Sequence, residues 1–211
     1  MHLVLRALHS DTPRLGGWIG KTENDVARCD LKWTTNSDPV SEERILEVQA
    51  NLGVRFPKTF LECVRKWNGG RAGPHSFSCF DVEGNQQDEA GFAALLDFRE
   101  PMDKYLKQIY RNDPDLWRDM DISPWWNIED DNLFERPDHF TRGLIAFGED
   151  GSGNYVCFDY RNGNDNPDPP VVFWHHEFHS DGEEPFFVAR NFDAFLEMLR
   201  PSRDELPKSI A

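Results

Sequence analysis

No apolar run in this 211-residue chain approaches the roughly 20 residues that a membrane-spanning helix requires. The start, MHLVLRALHSDTPRLGG, has a short apolar patch but no basic n-region, no adequate h-region and no small-residue cleavage site, so no secretory signal is expected. Cysteine is scarce. Cys29, Cys63, Cys79 and Cys157 are far apart and form no CxxC pair, and three of them lie among apolar neighbours, where a free thiol behaves as a small hydrophobe. These absences point to a reducing cytoplasm. There is no internal repeat and no low-complexity tail, and with 13% aromatic residues the chain is too rich in core-forming side chains to be disordered. One well-packed domain is expected at this length.

Basic residues are also in short supply, 23 against 38 acids, for a net charge of −15. The deficit is localised. Asp113 to Asp138 holds nine acids and two bases, Glu149 to Glu184 holds nine acids and one base, and together these windows carry the whole net charge. Such a chain repels nucleic acid and anionic membranes and attracts a basic partner. Surplus acid also serves solubility alone, and charge by itself does not separate the two readings.

Signatures of catalysis and ligation are lacking in the same way. Trp174-His175-His176-Glu177-Phe178-His179-Ser180-Asp181 is rich in metal-ligand types but is not HExxH. It follows an apolar strand, along which His175 and Glu177 would share one face and His176 the other, so a solvated strand end is the expectation. Glu149-Asp150-Gly151-Ser152-Gly153-Asn154 is glycine-rich but acidic, with no lysine to hold a phosphate, and reads as a hairpin turn. Neither Asp150 nor the loop from Asn162 to Asp168 has the spacing of a calcium loop. No enzyme activity, metal or cofactor is expected.

Helix signals are clean from Pro39 onward. Ser41 is a candidate N-cap before Glu42 and Glu43, Val40 and Ile45 fit a hydrophobic staple, and Ile45, Val48 and Leu52 recur at helical spacing before Gly53. Pro57 is placed in the first turn of a second helix with Phe60, Leu61, Val64 and Trp67 as its apolar stripe, ended by Asn68-Gly69-Gly70. A third helix is expected over Pro101 to Asn112, and a last one from about Asn191 to Pro201. Leu3-Val4-Leu5, Asp30–Trp33, Leu144–Phe147, Tyr155–Phe158, Val171–Trp174 and Phe186–Ala189 read as strands. Helices, then hairpin-linked strands, then a closing helix predict an α+β fold with a mainly antiparallel central sheet flanked by helices.

Six short motifs occur in an order that resembles the SMI1/KNR4 family, part of the SUKH group of immunity-type domains. They are Leu52-Gly53-Val54-Arg55-Phe56-Pro57 with Phe60-Leu61, Trp67-Asn68-Gly69-Gly70, Leu144–Phe147, the glycine turn into Tyr155–Asp159, Pro170–Trp174, and Phe192–Leu196. The resemblance covers about residues 40–200 and divides the chain into an N-terminal extension (1–39), the domain (40–201) and a tail (202–211). Gly153-Asn154 stands where the family usually has Gly-Asp, and the segment from Asp113 to Asp138 is longer than usual. The resemblance implies, in bacteria, an antidote that occludes a toxin, often a nuclease; in fungi, related domains regulate cell-wall synthesis within longer proteins. The bacterial reading fits better. A fungal-type scaffold and a hydrolase built on the histidine-rich stretch remain as alternatives. On the favoured reading Asp119, Asp121, Asp130 and Asp131 steer a basic toxin, Trp117, Trp125 and Trp126 anchor it, and Asp165, Asp168, Glu183 and Glu184 form a second acidic contact.

Overall fold

The computed structural model describes residues 31–35, 37–100, 127–134, 140–179 and 183–202. The expected strand at Leu3–Leu5, the helix over 101–112 and the tryptophan segment with Trp117, Asp119, Asp121, Trp125 and Trp126 lie outside them.

Strand β1 (Lys32–Thr34) pairs antiparallel with β2 (Arg71–Gly73). Helix α1 (Glu42–Leu52) begins where Ser41 accepts a hydrogen bond from the Arg44 amide, and ends at Gly53 in the left-handed region (φ 68°) with its N–H turned back to Ala50 and Gln49. Helix α2 (Lys58–Lys66) starts one residue later than the sequence suggests. Pro57 sits outside it in extended conformation, and its carbonyl accepts the Leu61 amide.

Seven strands then form one antiparallel sheet in the order β4-β3-β9-β8-β7-β6-β5. They are β3 (Ser76–Phe80), β4 (Gln86–Gly91), β5 (Ala94–Leu95), β6 (Leu144–Glu149), β7 (Tyr155–Asp159), β8 (Val171–Trp174) and β9 (Phe186–Ala189). Helix α3 (Phe192–Met198), capped by Asn191 on the Ala194 amide, closes the fold. The α+β architecture expected from the sequence is the one observed.

The core is aromatic. Phe60 of α2 meets Phe147 of β6, Phe158 of β7 and Phe192 of α3 at centroid distances of 5.5, 5.1 and 5.2 Å, and all four are fully buried. Phe77 and Phe92 join through Phe195. Such ring pairs add to the free energy of burial and fix how helices sit on the sheet.

The Trp67-Asn68-Gly69-Gly70 motif is a structural hinge between α2 and the sheet. The buried Asn68 side chain accepts from the Phe98 amide and donates to the Asp38 carbonyl and to Asp97. Gly69 has φ 62°, and a Cβ there would stand 2.9 Å from Ser37 Oγ, so both backbone and space demand glycine.

On the other side of β6 lies a helical segment starting at Ile128 that widens into a π-helical turn, Asp130–Phe134. Asn127 caps it through the Glu129 and Asp130 amides. Asn132 docks it by hydrogen-bonding both the N–H and the C=O of Ala146, where β6 bulges against β7. This docking overturns one expectation from the sequence. Asp130 and Asp131 are only 3% and 7% exposed and do not form a steering surface. Their neighbour Glu129 is buried as well, paired with Arg44 and accepting from Asn51. The run Glu-Asp-Asp-Asn reads as solvated acid only while the anchoring role of its asparagine is invisible.

Candidate partner-binding surface

Antiparallel order places the β3–β4, β6–β7 and β8–β9 connections at one end of the sheet. Their described residues, 81–85, 150–154, 175–179 and 183–185, include Asp81, Glu83, Asp150, Glu177, Glu183 and Glu184, and neither lysine nor arginine. Two large apolar side chains stand out from the same end, Val82 at 71% and Phe178 at 59% exposure.

The two tight loops share one device. Asp81 Oδ1 accepts the amides of Glu83 and Asn85, and Asp150 Oδ1 accepts those of Ser152 and Asn154. Desolvation opposes ionisation of Asp81, but these amides and the side chains of Asn85 and Gln87 outweigh it and hold the carboxyl below its ordinary range. The aspartates shape the loops and keep their charge.

Asn154, the departure noted in the sequence, joins two of the connections. Its Nδ2 donates to Asp150 Oδ2 at 2.6 Å, while its Oδ1 accepts from the His176 amide at 3.0 Å. An aspartate at this buried position would face Asp150 with a second carboxylate. Asn154→Asp is therefore expected to lower stability by about 1–3 kcal/mol near neutral pH and to recover on acidification, as chemical denaturation at two pH values will show.

The histidine-rich stretch is not a strand end. β8 stops at Trp174, and residues 175–179 form a turn in which the His179 amide donates to the His175 carbonyl (2.9 Å) and the His175 amide donates to His179 Nδ1 (2.8 Å). The alternation predicted for His175, His176 and Glu177 fails because the backbone turns. The exposed Phe178 ring stacks on His175 at 4.2 Å, which presents it to solvent in a fixed orientation. Among the described residues no three His, Cys, Asp or Glu are grouped to hold a metal ion.

Behind this end, Glu149 is 7% exposed beside Asp131, whose Oδ1 accepts from the Tyr155 hydroxyl at 2.9 Å. Burial, then the charges of Asp131 and Asp150, push the Glu149 carboxyl up to about 8 against the pull of Arg71. It is thus mostly protonated at neutral pH and adds little to the acidic field. His179 moves the other way: burial and the neighbouring His175 lower its pKa, with Glu183 opposing.

The signs of linkage follow. Glu149 has a raised folded pKa, so its contribution is complete below 4.5 and is lost as pH rises through about 8. His179 has a lowered one, so stability falls as pH drops below the ordinary 6.5. Glu149→Gln is expected to add about 1–3 kcal/mol near pH 9 and little near pH 5, measured as the change in urea midpoint.

The remaining residues singled out from the sequence are divided. Glu183 and Glu184 are exposed at the acidic end, with Glu184 bonded to Arg161 at 2.7 Å. Asp165 and Asp168 are exposed on the β7–β8 loop at the opposite end, where Asp168 accepts from Asn191. The structure does not bring these pairs together. Asp81, Glu83, Val82 and Phe178 were missed, because only the topology assembles them from separate loops.

The docked motifs and this sheet order agree with a family-model match over residues 39–198, to the SMI1 / KNR4 family (SUKH-1). The chain belongs to the SMI1/KNR4 family. That makes residues 39–198 an immunity-type domain, from a family whose members act by binding rather than by catalysis. No curated protein matches the sequence closely enough to count as a relative. Among the described residues no helix is long and apolar enough to cross a membrane.

Proposed function

We propose that this SMI1/KNR4 domain neutralises a cognate toxin by occluding a basic domain, such as a nuclease, with the acidic end of its sheet. The observation that carries the reading is the concentration there of six carboxylates without a lysine or arginine, around the exposed Val82 and Phe178. Such a surface steers a basic partner and gives it an apolar contact once it arrives. Glu183 and Glu184 belong to this surface, and Trp117, Asp119, Asp121, Trp125 and Trp126 extend it in the proposal. Asp165 and Asp168 form a separate contact at the far end. The division into an extension over 1–39, a domain over 40–201 and a tail over 202–211 belongs to the same reading, as does action in the cytoplasm.

Co-expression with the toxin gene adjacent to this one tests the reading. The wild-type chain should rescue growth and co-purify with the toxin domain, while Phe178→Ala should weaken the complex by about 2 kcal/mol without changing thermal stability. Rescue without a complex would refute occlusion.

A further inference from the structure

At the opposite end of the sheet, a groove of about 350 Å³ runs between α1 and the β7–β8 loop. Leu46, Gln49, Ala50, Gly53 and Val54 line one wall, Asn164 and Asp165 the other. The walls are tied together. The Arg55 amide donates to the Asn164 carbonyl at 3.4 Å, and the buried Tyr160 donates its hydroxyl to the Arg55 carbonyl at 2.6 Å.

Leu46 is 58% exposed and lies off the buried stripe of Ile45 and Val48, so the core does not require it. A single exposed leucine is unremarkable on most surfaces. Here it walls a formed groove and has acids as neighbours. Glu43 precedes it by three residues, on the same helical face, and Glu47 follows it. Asp165 faces it from the loop. Glu42 is matched by Arg65 and Glu129 by Arg44, which leaves Glu43, Glu47 and Asp165 in excess over Arg55.

We propose that this groove docks a protein segment carrying one leucine- or phenylalanine-sized side chain flanked by lysine or arginine. The apolar side chain packs against Leu46, Ala50 and Val54, and the flanking cations meet Glu43, Glu47 and Asp165. A second copy of this chain is a poor occupant, because the same acids would meet each other across the contact. The groove is a separate surface from the acidic end and does not depend on the toxin reading.

The test uses the full-length ¹⁵N-labelled chain and three blocked peptides: Lys-Lys-Leu-Lys-Lys, Lys-Lys-Ala-Lys-Lys and Glu-Glu-Leu-Glu-Glu. The leucine-containing basic peptide should move the amide signals of Leu46, Ala50, Val54 and Asp165, the alanine peptide should do so about tenfold more weakly, and the acidic peptide should not. Ala50→Arg should abolish these shifts with an unchanged melting temperature. Equal shifts with the leucine and alanine basic peptides would overturn the proposal, as would shifts confined to residues 81–85, 150–154 and 175–185. Signals of the groove that move with protein concentration alone would assign it to a second copy and would also overturn it.

Discussion

Glu129→Ala should cost the domain about 3–5 kcal/mol, because it leaves Arg44 buried without its carboxylate. Arg44 is held in place by several groups: its Nε donates to the Phe98 carbonyl and one Nη2 to the Arg99 carbonyl, at 2.9 and 3.1 Å. Glu47, exposed at the edge, meets its Nη1 at 3.0 Å. Glu129 supplies the only carboxylate in that set that is itself buried, and it also accepts from Asn51 at 2.7 Å. Removing the acid strands a charge, whereas removing both members strands none. The double variant Arg44→Met, Glu129→Leu should therefore lose less than Glu129→Ala alone, read from urea midpoints. A double variant less stable than the single one would show that the pair is net stabilising beyond the cost of leaving it broken.

The second large effect is kinetic. Replacing Glu83, Glu177, Glu183 and Glu184 by Gln removes four exposed charges from the acidic end with little change of shape. Association with a basic toxin domain is expected to slow by about tenfold or more at low salt, and its dependence on salt to flatten. Dissociation should change less, since exposed charges act mainly on encounter. Asp165→Asn with Asp168→Asn serves as the comparison, because those residues lie at the other end of the sheet. Stopped-flow association at several salt concentrations separates the two surfaces.

The parts of the fold that were legible in the sequence are those where a local signal and the final packing agree. Ser41, Gly53 and Asn191 mark helix ends through hydrogen bonds made within a few residues. The strands at 144–149, 155–159, 171–174 and 186–189 are buried, and their continuous apolar runs announce it. Strands β3 and β4 were passed over. In β3 the alternation of Ser76, Phe77, Ser78, Cys79 and Phe80 is a usable signal, with Phe77 and Cys79 in the core. β4, Gln86–Gly91, has no such signal. It is an edge strand, held by its ladder to β3, and polar composition suits an edge.

The candidate surface was legible only as charge. Counting acids identified the window from Glu149 to Glu184 but treated every carboxylate in it as exposed. Glu149 and Asp159 are in fact buried, Asp159 in a two-point contact with Arg161. Burial of Asp130 and Asp131 depends on how Asn132 docks on Ala146, fourteen residues away, and no local pattern encodes that contact. Asp81 and Glu83 lie far from both windows in the chain and reach the surface only because β3 pairs with β9.

Hydrogen-exchange mass spectrometry of the chain, free and bound to the toxin domain encoded beside it, tests the central claim most directly. The account predicts that amides in 81–85, 150–154 and 175–185 gain protection in the complex. Protection absent from all three connections, with a stable complex present, would contradict it.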